Sequence, residues 1–312
     1  MNTPPAAPSV SVVVATRNRP ELLRKALGSI AVQDYPGQVE LVVVYDQSEP
    51  ETDLAADLEL TGQAGDRSVR VITNTRTPGL AGARNSGVTG SSGELLAFCD
   101  DDDSWRPDKL RSQVAMLTAT NAGLSVCGIQ ITIGEQTHIR IPTPADVTVA
   151  ELARRRVMEA HPSTVLVRRT AFDRIGWVDE ELPGGYAEDY DWMLRATAEG
   201  PLAAVEAPLI TVHWHGGSWF QDRWQTMAAA LTELLDRHPD FRREPKGRAR
   251  ILGQIAFARA AEGRSRLGRR LAMQALRLNP LEMRAYLTFV VSMGLLSPER
   301  VLDVAHRFGK GI

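Results

Sequence analysis

Leu95-Leu96-Ala97-Phe98-Cys99-Asp100-Asp101-Asp102-Asp103 is an apolar run of five residues that ends in four consecutive carboxylates. The apolar half has the length of a buried strand, and such a strand delivers its carboxylates to one edge of a sheet. Like charges a few Å apart repel, so the cluster asks for a cation. Hard oxygen donors suit Mg²⁺ or Mn²⁺, and these ions commonly bridge to substrate phosphates. A solvated acidic turn ahead of a helix over 107–117 is the plainer reading of the same stretch. The chain on either side weighs between the two.

Upstream, strand and helix signals alternate. Residues 10–15 form a β-branched run, and 20–32 carry helical spacing through Leu23, Leu27 and Ile30. Further strands are predicted over 39–45 and 69–73, with 95–99 as the fourth. This alternation implies βαβ units and an α/β fold built on a mainly parallel sheet flanked by helices. In open α/β sheets, ligands bind beyond the carboxyl ends of the strands. Each strand ends in polar residues: Thr16-Arg17-Asn18, Asp46-Gln47-Ser48, Asn74-Thr75-Arg76 and Asp100 to Asp103. Four such ends on one edge would line a nucleotide-sized crevice.

Downstream the pattern is mixed. Strands are expected at 124–133 and 138–141, as a hairpin turning near Gly134, and at 163–167 and 209–212. Helices are expected at 147–159 and 188–197. Beyond Ser218 the chain reads as helical, with Leu267, Leu271, Ala275 and Leu278 on one apolar stripe. Residues 263–280 resemble a single tetratricopeptide-like unit, but no second copy follows. The expected division is an α/β ligand-binding domain over 1–220 and a basic helical region over 221–312.

The 312 residues are 43% hydrophobic and 24% charged, as expected of a globular protein with a substantial core. Net charge is -2, but it is unevenly spread. Residues 241–312 hold 15 Lys and Arg against 5 Asp and Glu, while 1–240 hold 21 against 33. A basic tail on an acidic body points to an anionic surface or a phosphate-bearing partner. Nucleic acid is not expected, because the tail has few aromatics and no recognisable module. Cys99 and Cys127 sit in apolar runs without metal-ligand spacing. The first eight residues lack the features of a signal peptide, and the longest apolar candidate, 286–296, is too short to span a bilayer. The expected location is therefore cytoplasmic, with peripheral contact at the inner face of the plasma membrane open to the basic region.

Taken together, 11–20, 42–48, 79–87, 93–110 and 186–195 resemble a family 2 glycosyltransferase of GT-A fold, over roughly the first 220 residues. The resemblance implies an inverting transfer of sugar from a nucleoside-diphosphate sugar, UDP-linked by preference, to an acceptor hydroxyl. A glycan, a lipid-linked glycan or a small molecule would serve as acceptor. It places Thr16, Arg17 and Asn18 against the nucleotide, and Asp46 against the base. Gly79 and Arg84 belong to its glycine-rich segment, read here as a close backbone approach to an anion. Asp100 and Asp102 fall in the Asp-x-Asp register, followed by Trp105, Pro107 and Lys109, although the four-residue run also leaves Asp101 and Asp103 open. Asp102 would hold Mn²⁺ or Mg²⁺ together with His215, while Asp100 and Asp101 would face the donor. Asp189 would be the general base, with Glu188 beside it; Ala187 stands where the family usually has glycine, and Tyr45 precedes Asp46 where it often has a second acid.

Two other classes stay open on sequence alone. A nucleotidyltransferase acting on sugar phosphates shares the layout and the acidic ligands, but would consume a nucleoside triphosphate. A non-catalytic carbohydrate-binding module on the same fold would have no need for the acidic residues.

Overall fold

The structure is a computed structural model, and it describes residues 7–51, 54, 66–134, 136–157, 159–213 and 223–307. Its contacts divide the chain into two compact units. The first comprises Met1–Thr148, Val157–Glu180 and Glu188–His215; the second comprises Val149–Arg156, Glu181–Ala187 and Gly216–Ile312.

The first unit is built on a nine-stranded sheet. Its strands are β1 (Val10–Thr16), β2 (Val39–Tyr45), β3 (Arg67–Thr73), β4 (Leu95–Asp100), β5 (Asp103–Trp105), β6 (Leu124–Ile133), β7 (Gln136–Arg140), β8 (Leu166–Arg168) and β9 (Ala203–His213). They run in the order β3-β2-β1-β4-β8-β6-β9-β5, with β7 on β6. The four strands expected before residue 100 are mutually parallel. Antiparallel pairing enters at β8, β7 and β5. β1 and β2 are buried along their whole length, as continuous β-branched runs in a parallel sheet should be.

Helix Pro20–Ala31 starts at a proline and buries Leu23, Ala26, Leu27 and Ile30, which recur at helical spacing. Helix Leu80–Thr89 is buried over Ala81 to Val88 and packs on β1. A Cβ at Gly87 would lie 2.2 Å from Val13 Cγ1, and one at Gly82 would lie 1.9 Å from the Thr77 carbonyl oxygen. Gly82 and Gly87 therefore serve close packing against the protein itself, whereas a Cβ at Gly79 would meet open space. Gly82→Ala should destabilise the fold by about 1–3 kcal/mol, since backbone must move to admit the methyl; urea denaturation measures it.

Three expected elements differ. Helix 147–159 is reduced to Val149–Arg154. The strand expected at 163–167 is a 3₁₀ turn over Pro162–Thr164 followed by β8. The four-Asp run is itself divided: Asp100 ends β4, Asp101 and Asp102 turn, and Asp103 opens β5 against Val212 of β9.

The second unit is helical, with Trp224–Arg237, Pro245–Ala261, Ser265–Leu278, Met283–Ser292 and Pro298–Arg307. Residues 263–280 hold a single helix. Its buried side is Gly268, Ala272 and Ala275, while Leu267 and Leu278 are exposed. The apolar stripe read from Leu267, Leu271, Ala275 and Leu278 is thus only partly the packed face: Ala275 is buried and Leu271 packs against the core of this unit, while the two outer leucines are open. A Cβ at Gly268 would sit 2.9 Å from the Ala256 carbonyl oxygen, so only small residues fit this crossing. Among the described residues, no helix is long and apolar enough to cross a membrane.

Candidate active site

The carboxyl ends of the four parallel strands come together. Thr16 of β1 pairs in register with Tyr45 of β2, Tyr45 with Thr73 of β3, and Ala15 with Asp100 of β4. Asn18 and Gln47 follow their strands in left-handed conformations, φ 56° and 51°, and so turn the chain sharply at the edge. A cleft opens there, lined by Thr16, Asn18, Arg19, Leu23, Tyr45, Ser48, Glu49 and Glu51. Arg17 is exposed on the same turn. The Ser48 hydroxyl is buried without a hydrogen-bond partner among the described residues.

The aspartates alternate in exposure. Asp100 and Asp102 are partly open, with side chains 25% and 30% exposed, while Asp101 and Asp103 keep 8% and 2%. Asp101 accepts from Thr16 Oγ1 at 2.7 Å and from Arg19 Nη1 at 3.2 Å. Asp103 accepts from the Ser163 hydroxyl. Burial raises Asp101, against the pull of Thr16 and Arg19. Burial likewise pushes Asp103 up to about 7, with His161 opposing and Asp100 adding to the rise. Asp101 and Asp103 are thus spent on tying the turn to β1 and to the loop before β8. Asp100 and Asp102 are the pair a ligand can reach, and they stand in the Asp-x-Asp register.

Arg84 lies beneath this turn, 5% exposed. Nη2 donates to Asp100 Oδ1 and Nη1 to Glu188 Oε1, both at 2.8 Å. The sequence placed this residue in a segment read as an approach to an anion; the fold commits both of its forks to carboxylates. Burial works to raise Asp100, but Arg84, then His161 and Arg19, outweigh it and hold the carboxyl below its ordinary value. Glu188 is pushed up to about 7 by burial and by neighbouring Asp189, with Arg84 opposing. Asp189 opens helix Glu188–Glu199 beside Glu188, and its Oδ1 accepts the Tyr190 N–H at 2.8 Å. Asp189 and Arg84 line one small cavity with Phe98, Trp192 and Met193. Ala187, just before Glu188, has φ 65°, a conformation glycine adopts freely.

Asp46 is buried at the end of β2. Its carboxylate accepts from Asn74 Nδ2 at 2.8 Å, the Gly79 N–H at 3.1 Å and Gln47 Nε2 at 3.0 Å. It therefore also closes the loop between β3 and helix Leu80–Thr89. Gly79, at φ 120°, starts that helix in a conformation that side chains resist.

His161 was given no role from the sequence, yet it stands with Asp100 and Asp103. Its Nε2 is 3.7 Å from Asp100 Oδ2 and its Nδ1 is 3.6 Å from Asp103 Oδ2. One donor atom from each of the three lies within 4.8 Å of the others. Carboxylate oxygens with one imidazole fit Mn²⁺ well. Asp102 stands outside this trio and pairs with Arg19 at 3.1 Å. His215 lies outside the described residues.

Glu180 and Asn85 were also missed. Asn85 is buried and bonds Val178 through both of its amide atoms, at 2.8 and 3.0 Å. Glu180 accepts from Asn85, Arg76 and the Thr77 N–H, so it fastens the loop that carries Gly79. Burial would raise Glu180, but the hydrogen bonds from Asn85, Arg76 and Thr77 bring it from 4.5 to about 2. A depressed carboxyl adds stability above its unfolded value and loses it as pH falls through the folded one. The stability gap between wild type and Glu180→Gln should therefore be full above about pH 5 and close towards pH 2; denaturation across pH reads it.

Parallel strands, a crevice at their carboxyl ends and acidic residues converging there define a nucleotide-binding α/β enzyme fold. Residues 11–176 match the family described as Glycosyl transferase family 2, and the chain belongs to that family. It is 30% identical over 218 residues to the succinoglycan biosynthesis protein ExoO of Rhizobium meliloti, spanning 65% of this chain and 60% of that one. It is 25% identical over 201 residues to WfgD of Escherichia coli, a UDP-Glc:alpha-D-GlcNAc-diphosphoundecaprenol beta-1,3-glucosyltransferase, spanning 64% of this chain and 74% of that one. The fold is the GT-A type found in S. aureus TarS 1-349 bound to UDP-GlcNAc, with TM-score 0.61, 17% identity and coverage of 97% and 92% of the two chains. It is also that of the mannosyltransferase PcManGT of Pyrobaculum calidifontis, solved with GDP-Man and Mn2+, with TM-score 0.55, 20% identity and coverage of 95% and 85%.

Proposed function

We propose that the protein transfers a sugar from a nucleoside-diphosphate sugar, UDP-linked by preference, to an acceptor hydroxyl with inversion at the anomeric carbon. The observation that carries this reading is the convergence of Asp100, Asp102, Arg84, Glu188 and Asp189 at the carboxyl edge of the parallel sheet, beside a nucleotide-sized cleft. Thr16 and Asn18 line that cleft, and together with Arg17 and Asp46 they would take the nucleotide. Asp189 takes the proton from the acceptor hydroxyl as its oxygen attacks opposite the leaving diphosphate. Direct attack from that face requires no enzyme nucleophile. Glu188 and Arg84 hold the start of the helix, and so the position of Asp189.

A divalent cation, Mn²⁺ or Mg²⁺, would be held by Asp102 with Asp100, the two carboxylates open to a ligand. It would supply positive charge to the departing diphosphate. The trio Asp100, Asp103 and His161 is a second reading of the metal site, favoured by its donor spacing. The acceptor is a lipid-linked glycan, a reading supported by the printed activity of WfgD, and the enzyme meets it at a membrane surface.

Calorimetric titration with UDP and GDP, with and without Mn²⁺, tests the donor. Metal-dependent binding of one diphosphate is expected; binding of triphosphates alone would favour a nucleotidyltransferase. Asp102→Asn should abolish the metal dependence while His161→Ala keeps it, and the reverse would move the ion to the trio.

A further inference from the structure

The transfer reaction leaves one part of the chain unused. No charged residue occurs between Arg284 and Glu299. In a core helix such a run would be buried on all sides. Here Ala285, Thr288 and Val291 face inward, whereas Met283, Tyr286 and Met293 are 62%, 45% and 59% exposed. These three lie on one stripe of helix Met283–Ser292, at positions i, i+3 and i+10. The stripe continues into the turns at both ends, where Leu281 is 83% exposed, Leu295 66% and Leu296 41%. Tyr286 Oη donates to the Pro280 carbonyl at 2.8 Å, which holds the ring against the turn that carries Leu281.

The neighbouring helix, Ser265–Leu278, supplies charge of one sign. It carries Arg266, Arg269, Arg270 and Arg277 and no acidic residue. Arg269 Nη1 reaches the Ser292 carbonyl at 3.2 Å, so the two helices lie side by side. Arg266, Arg270 and Arg277 are exposed. Leu267 and Leu278 are exposed on the same helix, because its packed side is taken by small residues. Single exposed apolar residues are ordinary, but a continuous apolar stripe beside a row of arginines is the makeup of an interfacial helix. A second copy is disfavoured as occupant, because a two-fold contact would set one basic row near the other.

We propose that this face of the second unit docks on a bilayer containing anionic lipid. Leu281, Met283, Tyr286 and Leu295 enter the boundary between headgroups and acyl chains, and Arg266, Arg270 and Arg277 meet lipid phosphates. The inference rests on the reading of a lipid-linked acceptor and deepens it, since it names the surface by which the enzyme reaches such an acceptor.

Co-sedimentation of the full chain with phosphatidylcholine vesicles, with and without phosphatidylglycerol, tests it. The protein should sediment with the anionic vesicles and be released by salt. Met283→Glu with Leu295→Glu, and separately Arg266→Gln with Arg270→Gln and Arg277→Gln, should each weaken binding at least about tenfold. All five side chains are exposed, and unchanged melting temperatures will show that the variants fold. The proposal is overturned if wild type stays in the supernatant, or if the Met283→Glu, Leu295→Glu variant binds as wild type does. It is also overturned if light scattering shows a dimer that this variant dissolves while vesicle binding is absent. UDP titration of the same preparations reads the donor site separately, so failure there would sink the glycosyltransferase reading and leave the vesicle result standing.

Discussion

Arg84→Met is expected to destabilise the protein by about 3–5 kcal/mol, the range for breaking a buried ion pair by removing one partner. The guanidinium is 5% exposed and holds Asp100 and Glu188 at once. Methionine keeps much of the volume but leaves buried Glu188 without the cation that opposes its rise, and Asp100 without the strongest of the cations that lower it. Their folded pKa values must then rise, and a carboxyl raised on folding removes stability as pH climbs past its unfolded value. The deficit of Arg84→Met should therefore grow between about pH 5 and pH 8. Arg84→Lys should recover part of it by restoring charge without the two-pronged geometry. Chemical denaturation at both pH values measures the effect. A deficit below about 1 kcal/mol, or one independent of pH, would show that Arg84 does not carry this load.

The second large effect is chemical. Asp189→Asn should lower kcat by about 10²–10⁴-fold, the usual contribution of a positioned general base. Metal-dependent affinity for the nucleoside diphosphate should stay as in wild type, because the proposed donor contacts lie on Asp46, Asp100 and Asp102. The contrast with Glu188→Gln is informative. Glu188 is buried against Arg84, so its replacement should also alter stability, whereas Asp189→Asn should leave the melting temperature close to wild type. An Asp189→Asn enzyme with normal kcat would transfer the base role to a neighbouring acid.

Much of this site was legible before any coordinates. The polar residues after each parallel strand are local signals: a β-branched run followed by Thr-Arg-Asn, by Asp or by four aspartates marks a strand end wherever it occurs. Asp189 and Glu188 were singled out through the family resemblance, which marks an acidic pair at the start of a helix. His161, Ser163, Asn85 and Glu180 gave no comparable signal. Each sits in ordinary polar surroundings in the sequence, and its partner is remote: Ser163 meets Asp103, and Asn85 meets Val178 and Glu180. Gly82 and Gly87 misled for a related reason. A glycine that makes room for a ligand and one that makes room for Thr77 or Val13 look alike until the neighbouring chain is placed.

The sequence by itself determined the layout, because the βαβ alternation and the acidic strand end are written in local pattern, while the class of protein and the Glu-Asp pair were read through the family resemblance. Only the tertiary structure decided which of four adjacent aspartates stay partly exposed, because burial depends on what covers each carboxylate. Thr16 and Arg19 cover Asp101, and Ser163 covers Asp103. It also decided that Arg84 is a buried clamp, and that Leu267 and Leu278 of helix Ser265–Leu278 lie outside the packed crossing. Periodicity names the residues that can pack together. Which of them do is settled by the surface they meet, and here Gly268, Ala272 and Ala275 fill the close approach, with Leu271 and Leu276 packed partly buried against it.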